Sequence, residues 1–199
     1  MNIETLNRSL GNIDLYLLDQ ILKDKIDKEY KILDAGCGEG RNLTYFINNN
    51  YDIYGVDPNP TAIKMLRMQA KNYEPKRFIQ TSIEEMIFPP NVFDYIISSA
   101  VLHFATDHNH FNNMIRAMVK VLKPGGTLFV RMTTNIAFEH LNKTTSGVYA
   151  LPDGSNRYLF DANKLEDFLK DHLLQLVEPL KSVVVYNQRS MGTMLFKKL

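Results

Sequence analysis

KILDAGCGEGRN, residues 31–42, decides how this chain is read. Residues 30–33 predict a short apolar strand that Asp34 ends. Gly36, Gly38 and Gly40 then form a loop that a ligand approaches closely, because no Cβ intervenes. Over residues 41–47 the pattern Leu43, Phe46, Ile47 predicts a helix running back over the sheet. Strand, glycine loop and helix are the opening of a nucleotide-type α/β unit.

The spacing of the glycines narrows the ligand. A dinucleotide fingerprint is G-x-G-x-x-G, whereas this loop is G-x-G-x-G with an acid two positions before its first glycine. Pyrophosphate favours N–H groups and a positive dipole without a neighbouring carboxylate, whereas Asp34 favours a ligand carrying an ammonium or sulfonium. About twenty residues on, YDIYGVDPNP (51–60) predicts a second strand ending in Asp57, placed to accept hydrogen bonds from both hydroxyls of a ribose. Two acids therefore flank an adenosyl ligand with a cationic tail.

Taken together, ILDAGCGEGRN (32–42), GVDPNP (55–60), TSIEEM (81–86), FDYIISSAVLHF (93–104) and KVLKPGGTLFVR (120–131) resemble the class I S-adenosylmethionine-dependent methyltransferases in order and spacing. The resemblance covers about half the chain. It implies an α/β, Rossmann-like, doubly wound and mostly parallel seven-stranded sheet, its last strand antiparallel, with helices on both faces. It also implies S-adenosylmethionine as cofactor and S-adenosylhomocysteine as product. By the resemblance, Asp34, Ala35, Gly36, Cys37, Gly38, Gly40, Arg41 and Asn42 cradle the methionine tail, and Asp57 and Pro58 hold the ribose. Ser82, Ile83 and Glu84 bracket the adenine; most relatives carry an acid where Ser82 stands, which leaves either Ser82 or Glu84 to read the exocyclic amine. Ser99, Ala100 and His103 line the methyl, and the N-terminal segment closes over the cofactor with Tyr16 as a contact or as a packed aromatic. GCGEGRN and the small overall size are similar to members that act on small molecules, so the expected partner is a small-molecule methyl acceptor.

Composition agrees. A chain of 199 residues with 45% apolar content suits one α/β domain with a full core, expected over residues 1–199. Its net charge of +1 gives no field to attract a polyanion, which disfavours nucleic acid. A lone cysteine, Cys37, fits a reducing compartment. Residues 1–29 read as a helical segment without the basic end and apolar run of a secretory leader, and no 18-residue apolar stretch occurs, so the expectation is a soluble, cytoplasmic protein away from membranes.

Further elements follow in order. Residues 12–25 carry Ile13, Leu17 and Ile21 at helical spacing, and Asn59-Pro60 punctuates a helix over 60–70. Strands are predicted over 77–81, 93–99 and 127–132, the last preceded by the break Pro124-Gly125-Gly126. A helix capped by Thr106 or Asp107 buries Phe111, Ile115, Met118 and Leu122. His103, the candidate catalytic residue, ordinarily titrates near 6.5 and could take a proton from an attacking hydroxyl, thiol or amine; pocket lining is the other reading, since a sulfonium methyl often needs no base. His108 and His110 are two apart on a helix and diverge, which argues against a metal. The insertion 133–160 starts on the ligand face and predicts a hairpin about Pro152-Asp153-Gly154-Ser155 that caps the substrate, with Tyr149, Arg157, Tyr158 and Arg131 as substrate contacts. An arginine pair there would suit an anionic acceptor. A last helix capped by Asp161 and a closing hairpin of 182–186 with 193–196 complete the sheet. Two rival readings are an NAD-dependent oxidoreductase, which needs the later third glycine, and a non-catalytic partner protein that only holds the cofactor.

Overall fold

The computed structural model of the chain describes residues 2–138, 141 and 144–199. In chain order the elements are α1 (Ile3–Leu10), α2 (Leu15–Leu22), β1 (Lys31–Ala35), α3 (Thr44–Asn48), β2 (Asp52–Asp57), α4 (Pro60–Gln69), β3 (Phe78–Gln80), β4 (Phe93–Ser99), α5 (His108–Val121) and β5 (Leu122–Thr133). After these come β6 (Val148–Ala150), β7 (Asn156–Tyr158), α6 (Leu165–Asp171), β8 (Leu174–Leu176), β9 (Lys181–Val185) and β10 (Arg189–Lys198).

Period-two alternation makes the central strands two-faced, and both faces are apolar. Ile32, Tyr95, Ile97 and Phe129 pack with Leu17, Phe46, Ile63 and Leu66 of α2, α3 and α4. Their neighbours Leu33, Ile96, Leu128 and Val130 pack instead with Phe111, Ile115 and Met118 of α5 and Phe168 of α6. Each such side chain contributes about 1.5–3 kcal/mol by burial, so helices are held on both sides of one sheet.

The sheet order is β3-β2-β1-β4-β5-β10, with β8 and β9 both against β10. Pairs among β1 to β5 are parallel and β10 is antiparallel to β5. β8 lies opposite residues 196–198 and β9 opposite residues 189–193. These two segments are one edge position, interrupted at residues 177–180, where Pro179 has no N–H to give. Eight segments thus fill the seven positions the sequence predicts. On this open edge Val183, Val184 and Val185 are each more than a third exposed.

Cap chemistry sets the helix starts. Asn59 accepts from Thr61 and Ala62 N–H with Pro60 following it, Asp107 accepts from His110 N–H, and Asp161 accepts from Asn163 N–H ahead of a 3-10 turn leading into α6. Asp14 accepts from Tyr16 N–H, so the predicted helix 12–25 is confined to 15–22 and a separate α1 precedes it. The insertion forms the hairpin β6–β7, pairing Val148 with Tyr158 and Tyr149 with Arg157 around residues 151–155. Residues 139, 140, 142 and 143 of the expected cap lie outside the described residues.

Candidate functional site

The carboxyl ends of β1, β2 and β4 meet at one edge, and Asp34 is a buried carboxylate there. It is 1% exposed, and neither carboxylate oxygen has a hydrogen-bond partner among the described residues. Burial raises its pKa to about 7, with the Arg41 charge pulling the other way and Asp57 adding to the rise. A buried carboxylate with nothing to hold is unfavourable, and a cation entering beside it would remove that cost.

Around Asp34 the glycine loop is folded by its own backbone. Gly36 and Cys37 donate to Val56 O at 2.8 and 3.0 Å, and Gly38 donates to Asp57 Oδ2 at 2.9 Å. Asn59 N–H donates to the other oxygen, Oδ1, at 2.8 Å, so Asp57 ties the end of β2 to the loop while remaining half-buried. Gly36 has φ +86°, and a Cβ there would stand 2.4 Å from Val101 Cγ2, so this glycine lets the β4 exit close on the loop. A Cβ on Gly38 would meet nothing within 4 Å: its side of the loop is open. Ala35 is fully buried and Cys37 nearly so, its thiol pushed well above the usual range by burial. Pro58 is exposed and follows directly on Asp57.

Beyond β3, Thr81 N–H donates to Asp57 O at 3.1 Å and brings Ser82 and Ile83 toward the same end. Ile83 is buried and Ser82 half-buried. Glu84 turns to α5 and pairs with His110 Nε2. His110 Nδ1 meanwhile accepts from Thr106 N–H, and His108 Nδ1 lies 2.8 Å from Tyr158 Oη, so the two histidines serve separate neighbours.

The exit of β4 is bent back by Ala100, which has φ +62° and donates its N–H to Arg131 O at 2.8 Å. A non-glycine residue in this region carries strain of about 1 kcal/mol or more. The bend delivers a 3-10 turn, Leu102–Phe104, with His103 buried and its Nδ1 unpartnered among the described residues. Burial, then the charges of Arg157 and Arg189, lower the His103 pKa to about 4, so its ring is neutral at pH 7. The rings of His103 and Phe104 meet edge to face at 4.6 Å.

The substrate contacts expected from sequence fall into three settings. Arg131 is ion-paired through Nη1 to Asp14 Oδ2 at 2.9 Å and lies over the Tyr16 ring at 5.4 Å. Arg157 lies over Phe104 at 4.8 Å, on the His103 side of the hairpin. Tyr158 stacks on Phe111 at 4.7 Å and, with Tyr149, lines a cavity of about 350 Å³ between α5, α6 and the hairpin.

Residues 33–130 match the family model described as a methyltransferase domain. The ubiquinone/menaquinone biosynthesis C-methyltransferase UbiE of Cronobacter sakazakii is 30% identical over 68% of this chain and 59% of its own length. This chain belongs to the class I S-adenosylmethionine-dependent methyltransferase family. Another relative, the bovine (Bos taurus) tRNA N(3)-cytidine methyltransferase METTL2, is 26% identical over 76% of this chain and 43% of its own length. The chain thus spans about half the length of the curated relatives it matches. Among solved structures, the 1,6-didemethyltoxoflavin-N1-methyltransferase of Burkholderia thailandensis, with 1,6-didemethyltoxoflavin and S-adenosylhomocysteine bound, has the same fold. Its TM-score is 0.68 at 18% identity, over 98% of this chain and 81% of that one.

Two residues of this methyltransferase-family chain that the sequence reading passed over stand out in the structure. Asp14, 2% exposed, caps α2 and also accepts from Ser99 Oγ at 3.0 Å and from Arg131, while its N–H donates to Asn42 Oδ1 at 3.0 Å. It therefore clamps α2 over the ends of β4 and β5, with Arg41 Nη2 at 3.5 Å from the same Ser99. Further along α2, Asp19, Gln20 and Lys23 join Glu178 and Lys181. The second residue, Arg189, starts β10 at the same edge and pairs with Asp153 of the hairpin turn at 3.6 Å. The helix start before Leu15 marks Asp14 as a cap; only the fold shows its long-range partners.

Proposed function

We propose that this chain transfers the methyl group of S-adenosylmethionine to a nucleophilic atom of a small-molecule acceptor, leaving S-adenosylhomocysteine. The observation that carries the reading is Asp34: a fully buried carboxylate, both oxygens unpartnered among the described residues, at the start of a loop that Gly38 leaves open. Those two acceptor oxygens fit a ligand with an ammonium tail and disfavour a pyrophosphate, hence NAD. Asp34 takes the amino-acid end, with the loop from Ala35 to Asn42 around it, and Asp57, beside Pro58, keeps lone pairs free for the two ribose hydroxyls. Glu84 is engaged with His110, which favours Ser82 as the side chain that reads the adenine amine, with Ile83 as the apolar face of that slot. When bound, the cofactor supplies a methyl already activated on a sulfonium.

The chain's part at the reacting end is then alignment. Ser99, Ala100 and the turn bearing His103 form the wall. A histidine lowered to about 4 is a weak base at pH 7, so His103 orients the acceptor's proton through Nδ1 more than it removes it. No described helix is long and apolar enough to cross a membrane, in keeping with an acceptor drawn from solution. Calorimetry with S-adenosylhomocysteine, followed by labelled-methyl transfer to thiols, phenols, amines and carboxylates, tests the reading. Binding of NADH without binding of S-adenosylhomocysteine would end it; tight cofactor binding with silence across a broad acceptor panel would favour a partner protein without turnover.

A further inference from the structure

Resting on the methyltransferase reading above, we propose that the acceptor is a small carboxylic acid, its carboxylate held by Arg157 and Arg189 while its nucleophile faces His103. The two arginines come from different parts of the chain, β7 and the start of β10, and meet at the hairpin: Arg157 lies over Phe104, the residue after His103, and Arg189 pairs with Asp153 of the hairpin turn. Arg157 is half-buried, lies over the Phe104 ring at 4.8 Å, and has no ion-pair partner among the described residues. Its only described hydrogen bond is from Nη1 to Asn156 O at 2.8 Å, so the rest of its planar fork is free for a planar anion. Phe104 is 59% exposed, which leaves room beside the stack.

Charge bookkeeping sets the valence of the partner. Arg157 and Arg189 bring two positive charges, Asp153 removes one through its contact with Arg189, and His103 is neutral. One net positive charge matches a monoanion. A carboxylate satisfies it; a phosphate dianion leaves one negative charge unmatched, and a nucleic acid strand needs several cations along its backbone rather than one at a pocket wall. Of the other arginines at this edge, Arg131 is neutralised by Asp14 and Arg41 acts on the buried Asp34. Phe104 touches both the Arg157 guanidinium, at 4.8 Å, and the His103 ring, at 4.6 Å, so a carboxylate on Arg157 and a nucleophile at His103 fit one small molecule.

The experiment has two arms. In the first, the protein saturated with S-adenosylhomocysteine is titrated with benzoate and with benzamide, following line broadening of the small molecule by NMR. Binding of benzoate at least tenfold tighter than benzamide, lost in Arg157→Gln, is the expected result. In the second, hydroxy-, amino- and mercaptobenzoic acids are compared with their carboxamides as methyl acceptors. The ratio of kcat/KM, acid over amide, should exceed ten in the wild type and collapse toward one in Arg157→Gln, with Arg189→Gln giving a smaller fall. Equal binding of benzoate and benzamide, a ratio untouched by Arg157→Gln, or methylation of tRNA in place of the small acids would each overturn the proposal. Failure to bind S-adenosylhomocysteine at all would instead remove the methyltransferase reading on which it rests, so the two failures are told apart.

Discussion

Asp34→Asn should make the ligand-free protein more stable above neutral pH while abolishing most cofactor affinity. A carboxyl raised from 3.8 to about 7 makes the ionised form about 4 kcal/mol less favourable in the folded chain, at about 1.4 kcal/mol per tenfold change in equilibrium. Above pH 7 the wild type carries this cost in full. As pH falls below 7 the buried carboxyl takes up a proton that the unfolded chain binds only near pH 4, so the cost fades and is gone below about pH 4. Asparagine removes the charge but leaves an unpaired buried amide, costing about 1–3 kcal/mol. The net gain is therefore about 2 kcal/mol at pH 8, equivalent to about 4–8 °C in Tm for a chain of this size, falling to about zero near pH 5. Thermal unfolding by circular dichroism from pH 5 to 8.5, with and without S-adenosylhomocysteine, measures both effects. The cofactor product should raise the Tm of the wild type and leave the variant nearly unmoved, through loss of a charge-assisted hydrogen bond of about 1.5–3 kcal/mol. A Tm difference that stays flat with pH, together with unchanged binding, would refute the assignment of Asp34 as a waiting counter-ion.

Asp57→Ala should weaken S-adenosylhomocysteine binding by about 1.5–3 kcal/mol for each charge-assisted bond lost, and calorimetry should also register a looser loop, because Gly38 N–H loses its acceptor. His103→Ala should lower turnover with cofactor affinity intact, as read by single-turnover methyl transfer; in the wild type no rate inflection should occur between pH 5.5 and 8, since the ring protonates only near pH 4. The same lowered pKa means that the unfolded chain binds the extra proton between about pH 6.5 and 4, so His103 contributes stability that is lost as pH falls through that window. Asp14→Ala strands the partly buried Arg131 and should destabilise the fold by about 3 kcal/mol or more, with hydrogen exchange rising in α2 before the sheet.

Much of this site was legible because its chemistry is local. A glycine loop between a strand and a helix, an acid at the end of each of the first two strands, and Asn59-Pro60 at a helix start are patterns a few residues long, and each forms where the sequence puts it. Long-range pairings were not legible. Nothing in a window around Arg131 announces that Asp14, 117 positions away, neutralises it; nor does the sequence near Glu84 place His110 against it. Under the proposed reading those two pairings leave Arg157, already expected from sequence, and Arg189 as acceptor contacts, and they favour Ser82 of the two expected adenine readers. The interrupted edge was legible only in part: β9 forms where residues 182–186 were expected to, whereas the three-residue β8 is defined by the long β10 beside it.

That interruption has a bearing on how the molecule behaves in a crowded solution. A foreign strand approaching the bare rim would find rungs for three residues at β8 and five at β9, with a proline between them that offers no donor. Short, broken edge segments are one way a sheet margin avoids pairing with another chain, so the exposed Val183, Val184 and Val185 can be tolerated there. The border is protected by more than the proline: four residues, 177–180, stand opposite only two, 194 and 195, so the two runs differ in register and a strand laid along one would be out of step with the other.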